Sequence, residues 1–169
     1  MFKSGKWRLC DVVTGDESWF YLRKIDRKSS NASWVGKDEP ARTIVRRGRF
    51  EPKFMFCVFF KSTGPVYVNY LDRGKTIDAA YYIQQCLKPI VREINKQRPT
   101  SGTTNMKFHH DNARPHVAGS ANSYVEQVGL QLICHPPYSP DLAPCDFWLF
   151  DIIKLNLADA MDAKDLVLY

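Results

Sequence analysis

The sequence lacks any hydrophobic run long enough to cross a membrane. The longest apolar stretch, FMFCVFF at 54–60, has the length of a β-strand and is far shorter than the roughly 20 residues of a transmembrane helix. The first ten residues, MFKSGKWRLC, also lack the apolar segment that is typical of a signal peptide. The sequence therefore predicts no membrane partner.

Paired cysteine motifs are absent as well. The five cysteines, at positions 10, 57, 86, 134 and 145, are odd in number and include no C-x-x-C pair. This pattern argues against a disulfide scaffold and favours a reducing compartment. With 169 residues, of which 44% are apolar and 25% charged, the chain has ordinary globular composition and enough length for one domain with a hydrophobic core.

Acidic residues are scarce in the first two thirds of the chain. Residues 23–53 contain ten Lys/Arg against four Asp/Glu, and residues 54–107 contain eight against three. Residues 108–169 reverse the balance, with three against eight, so that the whole chain carries a net charge of +6. A basic surface serves solubility or binds a polyanion, most often nucleic acid, and charge alone leaves both alternatives open.

Local patterns predict a mixed α/β domain. One extended segment is predicted at residues 10–13 and 19–22, with TGDES interrupting it. A β-hairpin with a Ser-Thr-Gly-Pro turn is predicted from the strands at 53–62 and 63–71. Thr76 is the predicted N-cap of a helix that runs to about residue 96 and buries the face containing Ala80, Ile83, Leu87, Ile90 and Ile94. The predicted order continues with a strand at 106–111, a helix at 116–129 ended by Gly129, and a strand at 130–135. It closes with a proline-rich loop and a helix at 143–158.

Three aspartates lie at the ends of predicted elements: Asp16 in TGDESW, Asp111 in HHDNARPH and Asp146 in LAPCDFWLF. One such Asp is usually a cap or a solvated residue. Asp146, however, precedes Phe147–Phe150 in an apolar helix, which predicts a mostly buried carboxylate that needs a partner or a metal. Carboxylates from separate parts of a chain suit Mg²⁺ or Mn²⁺, and two such ions about 4 Å apart can drive phosphodiester chemistry.

The histidines offer a rival interpretation, because HHDNARPHV at 109–117 holds three of the four in the chain. Their intervals match no standard zinc pattern, so a zinc site is the weaker alternative. Its candidate ligands are His109, His110, His116, His135, Cys134 and Cys145. A hydrolase triad is weaker still, since the sequence contains no G-x-S-x-G elbow.

Three motifs in this order, TGDESW, HHDNARPHVA and HPPYSPDLAPCDFWLF, resemble the catalytic domain of mariner-family DNA transposases, and YLDRGKTIDAAYYIQQCL between the first two is also similar. Asp111 and Asp146 are separated by 34 residues, which is the family's hallmark interval, with Asp in third place. The resemblance covers about residues 8–152. It implies an α/β, ribonuclease-H-like fold, with a mixed five-stranded sheet flanked by helices.

The resemblance also implies an activity and its residues. Asp16, Asp111 and Asp146 would hold two Mg²⁺ or Mn²⁺ ions for DNA cleavage and strand transfer at transposon ends. The basic segment 23–53 corresponds to a clamp-like loop inserted after the first strand, which implies contacts with DNA and with a second copy in a homodimer. Nuclear localisation is expected. Predicted DNA contacts are Arg42, Arg46, Arg47, Arg49, Lys53, Arg114 and His116.

Two departures from the family pattern bear on activity. No helix-turn-helix segment precedes residue 8, and an acidic tail ends 23 residues after Asp146, where the family continues with a basic helical tail. We therefore expect a single catalytic domain at 1–169 that is truncated at both ends. Two alternatives stay open: an inactive or domesticated relic that binds DNA, and a ribonuclease-H-like nuclease that acts on RNA–DNA hybrids.

Overall fold

Five strands form one mixed sheet in the computed structural model, which describes residues 8–21, 52–71 and 74–156. The spatial order is β3-β2-β1-β4-β5. β1 pairs antiparallel with β2, and β2 with β3, whereas β1–β4 and β4–β5 are parallel. The predicted mixed five-stranded sheet is thus confirmed. The strands are β1 (Val12–Tyr21), β2 (Lys53–Lys61), β3 (Gly64–Leu71), β4 (Lys107–His109) and β5 (Gln131–Leu132).

Helices flank both faces of this sheet. One continuous helix consists of α1 (Ala79–Tyr81), a π-helical segment (Tyr82–Leu87) and α2 (Lys88–Gln97). The others are α3 (Gly119–Gln127) and a π-helical segment (Cys145–Leu149) that continues into α4 (Phe150–Asn156), with 3-10 turns at Leu9–Asp11 and Pro140–Leu142. In the described ranges, none of these helices is long and apolar enough to cross a membrane.

The two faces of β1 belong to two different hydrophobic clusters. Val13 packs in the larger one, with the helix that begins at Ala79, and Phe20 packs in the smaller one, with Phe150. Side chains alternate along a strand, so Asp16 points to the same face as Phe20, and Glu17 to the same face as Val13. The strand therefore separates two adjacent carboxylates onto opposite sides of the sheet.

The helix after β3 begins later than Thr76 predicts. Asp78 is the N-cap, because its carboxylate accepts a hydrogen bond from the Tyr81 backbone N–H at 2.7 Å. The π-helical turns that follow widen the spacing of the buried positions, so Ala80 is exposed, contrary to the prediction. The fully buried side chains of this helix are Tyr82, Cys86, Leu87, Ile90 and Ile94.

Other boundaries also differ from the prediction. The strand expected at 130–135 is limited to Gln131–Leu132, and the last helix begins at Cys145 rather than 143. Gly129, with φ +76°, ends α3 as predicted. Lys53 belongs to β2, where it pairs with Tyr21, so the predicted loop at 23–53 extends one residue too far. The rest of that loop at 23–51 lies outside the described residues.

Gly15 on β1 lies against the ring of Phe59, so a Gly15→Ala substitution should be costly. A Cβ here would approach Phe59 Cδ1 to 1.9 Å. Phe59 is fully buried and stacks on Phe108 at 6.2 Å between centroids, so its ring has little room to move. We expect a loss of about 1–3 kcal/mol in the free energy of unfolding, measured by chemical denaturation.

Gly119→Ala is the matched control, because nothing lies within 4 Å of a Cβ at that position. It should leave the free energy of unfolding unchanged or slightly raised. An equal loss in both variants would contradict the packing explanation.

Candidate active site

The register between β1 and β4 brings Asp16 and Asp111 together. Thr14 pairs with His109 in this parallel ladder, and each Asp follows two residues later on its own chain. Asp111 therefore extends from the end of β4 beside Asp16 on the neighbouring strand. Its Oδ1 accepts a hydrogen bond from the Ala113 backbone N–H at 2.9 Å, which turns the chain and fixes the carboxylate at the sheet edge.

Asp146 approaches the same place from the last helix. Phe150 on that helix packs against Phe20 of β1, with ring centroids 6.1 Å apart. The Cys145 thiol faces the carbonyl oxygen of Val58 at 4.0 Å, and Val58 is the register partner of Asp16. The start of this helix therefore lies over the part of the sheet that carries Asp16.

The negative charges of the three aspartates act on one another. Burial, with the charges of Glu17, Asp111 and Asp146, raises the pKa of Asp16 to about 7, although the Glu17 N–H opposes it. Partial burial and the charge of Asp111 also raise the pKa of Asp146. In the described residues, no lysine or arginine forms an ion pair with Asp16. An oxygen-only, mutually repelling donor set fits a hard divalent cation such as Mg²⁺ or Mn²⁺.

A cavity of about 390 Å³ opens between Asp111 and Asp146. The loop that follows β5 forms one wall, and the Asn112 amide holds this loop by donating to the His135 carbonyl at 2.7 Å. Tyr138, at φ +55°, extends its side chain fully into solvent at the rim. Asp111 and Asp146 are thus accessible from this cavity.

The histidines do not form a zinc site. His109 contacts Thr14 at 2.9 Å and His135 at 3.1 Å, whereas His110 contacts the Tyr82 hydroxyl at 3.0 Å on the other face of the sheet. Of the two cysteines in the candidate set, one is exposed and the other is buried against β2. Among the described residues, the one compact group of possible ligand atoms, all within 4.8 Å, contains no member of that set: Glu17, Cys57 and Cys86.

His116 lies beneath the acidic residues rather than at the surface. Its side chain is 1% exposed, with Nδ1 2.6 Å from Asp111 Oδ1 and Nε2 3.1 Å from Glu17 Oε2. Burial alone would lower the pKa of this imidazole, but the hydrogen bonds to the two carboxylates outweigh burial and raise it to about 10. The hydrogen bond from His116 in turn lowers the pKa of Asp111. This geometry leaves the ring no free nitrogen for the predicted DNA contact.

The surroundings of Asp146 are also more open than the sequence predicts. Asp146 is exposed, as are Phe147 and Trp148, at 57% and 49%. The helix lies on the sheet surface and turns only Cys145 and Phe150 fully inward. A run of apolar residues therefore did not indicate burial of the carboxylate beside it.

The other predicted DNA contacts fall in different places. Arg114 is exposed on the loop after Asp111, and Lys53 lies on β2, with its Nζ 3.9 Å from the centroid of the Trp19 ring. The arginines at 42, 46, 47 and 49 lie outside the described residues.

Sequence reasoning missed Glu17. The motif TGDESW directs attention to Asp16, and Glu17 on the opposite face reads as a solvated neighbour. Its side chain is only 11% exposed. The alternation with Val13 on β1 was the available signal, because it places Glu17 on a face that is already buried.

The strand order, the parallel β1–β4 register and the carboxylate on the last helix define a ribonuclease-H-like domain with an Asp-Asp-Asp site. A family model described as "Transposase (partial DDE domain)" matches residues 24–104. The Mariner Mos1 transposase of Drosophila mauritiana is 36% identical over 150 residues, which are 88% of this chain and 42% of that protein.

Two solved structures extend this comparison. A mariner Mos1 paired-end complex with Mg matches with a TM-score of 0.74 and 36% identity, over 92% of this chain and 45% of that one. The Mos1 transposase catalytic domain with Raltegravir and Mn matches with a TM-score of 0.69 and 30% identity, over 95% of this chain and 67% of that one. The chain belongs to the mariner family of DNA transposases, and it spans less than half the length of the full relative.

Proposed function

We propose that this chain is a transposase catalytic domain that cleaves DNA at transposon ends and transfers the freed strand, with two Mg²⁺ or Mn²⁺ ions. The observation that carries the proposal is the convergence of Asp16, Asp111 and Asp146 from β1, β4 and the last helix. The relatives described as containing Mg and Mn support the choice of metal, and the paired-end complex supports DNA as the substrate.

The three carboxylates would coordinate the metals from three different elements of the fold. Asp16 and Asp111, each two residues beyond the Thr14–His109 pair of the parallel ladder, would hold the metals together with Asp146 from the last helix. Asp111 is kept ionised by His116, whereas Asp16, with a pKa of about 7, favours its ionised form once a cation is beside it. When bound, such ions activate the attacking water or 3′-hydroxyl and stabilise the leaving oxygen.

Cleavage assays test this function against its two alternatives. The chain should nick duplex DNA in Mn²⁺, leave 3′-hydroxyl ends, and do nothing after chelation of the metal. Duplex binding that weakens steeply with salt but never leads to cleavage would instead identify a DNA-binding relic. Faster cleavage of an RNA–DNA hybrid than of duplex DNA would identify a ribonuclease-H-like nuclease.

The proposal extends to partners and location. The net charge of the segment 23–53 supports contact with DNA phosphates, and its length supports a clamp between two copies of the chain. A DNA substrate would also favour a nuclear location. Sedimentation of the chain with and without DNA tests the dimer, and a single species at monomer mass in both samples would contradict it.

Arg114 is the described basic residue best placed to contact DNA, since it is exposed three residues after Asp111. We expect Arg114→Ala to weaken duplex binding and to reduce the slope of log K against log salt by about 1. Lys88→Ala is the control, because Lys88 is exposed on the long helix and bonds to Gln84. Titrations at several salt concentrations measure both, and equal slopes for the two variants would exclude a phosphate contact by Arg114.

A further inference from the structure

His116 occupies an unusual position between two carboxylates from different strands. Nδ1 lies 2.6 Å from Asp111 Oδ1, and Nε2 lies 3.1 Å from Glu17 Oε2. Neutral imidazole has one N–H, so both contacts are hydrogen bonds from His116 only when both nitrogens are protonated. The ring therefore links the loop after β4 to the middle of β1 through both of its nitrogens.

Aromatic rings hold this imidazole in its orientation. The Tyr82 ring lies 4.3 Å away between centroids, and the His110 ring stacks at 5.0 Å with an interplanar angle of 11°. The two ring nitrogens of His116 are thus held facing the two carboxylates.

Glu17 pairs with His116, and it lines a cavity of about 230 Å³ together with Lys75. Its remaining close polar neighbours are the thiols of Cys57 and Cys86, whose sulfur atoms lie within 4.8 Å of its carboxylate. A nearly buried carboxylate needs a polar partner, and the contact with His116 supplies one to Glu17, whose side chain is 11% exposed. Because Glu17 directly follows Asp16 on β1, any shift of this link also moves the backbone that carries Asp16.

We propose that His116 and Glu17 are positioning residues, which tie Asp111 to β1 and so fix the spacing between the first two metal-binding carboxylates. The inference rests on the proposed function of the acidic site. Hydrogen bonds that orient a metal ligand from behind typically contribute 10- to 100-fold to metal affinity. Both side chains are nearly buried, at 1% and 11% exposure, so their effect is on binding of the metal and not on a chemical step of their own.

Four variants of the full chain separate this role from general support of the core. His116→Gln and Glu17→Ala break the link and should weaken Mn²⁺ binding by about 10- to 100-fold. Glu17→Gln keeps the link without its charge, because the new amide can donate to Nε2 while a neutral His116 still donates to Asp111; its affinity should stay near that of the wild type. Cys86→Ala removes a neighbour of Glu17 and should lower the melting temperature with no change in Mn²⁺ affinity.

Mn²⁺ titration followed by electron paramagnetic resonance gives the affinity, and the rise in melting temperature on adding Mn²⁺ gives an independent reading. Wild-type affinity in folded His116→Gln and Glu17→Ala would overturn the inference, as would an equal loss in Cys86→Ala. If one of the two disruptive variants fails to fold, the other is compared with Glu17→Gln. Absence of Mn²⁺ binding by the wild type would overturn the proposed function itself, which distinguishes the two failures.

Discussion

Replacing Asp111 by Asn should reduce metal-dependent DNA cleavage on the order of 10³-fold. The amide oxygen can still accept the Ala113 N–H, so the turn after β4 survives the substitution. What is lost is the negative charge at the end of β4, beside Asp16, where the metals need an anionic ligand. The effect is therefore on metal binding and catalysis, with the fold retained.

Asp141→Asn provides the matched control for this result. Asp141 is exposed in the 3-10 turn near the same cavity and has no part in the acidic site. Rates of DNA nicking in Mn²⁺ should fall for Asp111→Asn alone, and circular dichroism should show both variants folded. Cleavage by folded Asp111→Asn within tenfold of the wild type would remove Asp111 from the catalytic set.

Replacing Asp16 by Asn should stabilise the metal-free protein at neutral and alkaline pH. Burial and three neighbouring carboxylates raise the pKa of Asp16 to about 7, so the fold favours its neutral form. The stability that Asp16 contributes is present below the unfolded pKa, near 4, and is lost as the pH rises through about 7. An amide cannot ionise, so the variant should gain about 2–4 kcal/mol above pH 7 and almost nothing at pH 4.

Denaturation at several pH values, with and without Mn²⁺, measures this difference. The variant should unfold at higher denaturant concentration than the wild type at pH 8, and the two should coincide at pH 4. Mn²⁺ should raise the stability of the wild type much more than that of the variant, because the cation relieves the repulsion that the amide has already removed. A variant less stable than the wild type at pH 8 would show that Asp16 is not held against like charges.

The sequence was most informative about features that depend on local residue patterns or on the spacing of motifs along the chain. Local pattern predicted the hairpin of β2 and β3, and the family resemblance, carried by three motifs and the interval between Asp111 and Asp146, implied the five-stranded sheet and the three aspartates. These features depend on local periodicity or on chain order. The helix after β3 was harder, since Thr76 and Asp78 are both good caps, and only the hydrogen bond to Tyr81 decides between them.

The supporting shell of the site was not predictable in the same way. His116 reads as one more polar residue in a crowded loop, and its burial depends on Tyr82, which lies far away in the sequence. Glu17 was overlooked because a carboxylate next to Asp16 reads as a solvated neighbour, whereas the strand turns it onto the buried face opposite Asp16. Contacts between distant elements set both environments, and no short motif encodes them.

The most direct test of the acidic site is the position of Mn²⁺ in crystals of this chain, located by anomalous scattering. We expect two manganese peaks about 4 Å apart, bounded by the carboxylates of Asp16, Asp111 and Asp146. Manganese bound elsewhere, for example at Glu17, Cys57 and Cys86, with none between the three aspartates, would contradict the assignment of these residues as the metal site of a transposase.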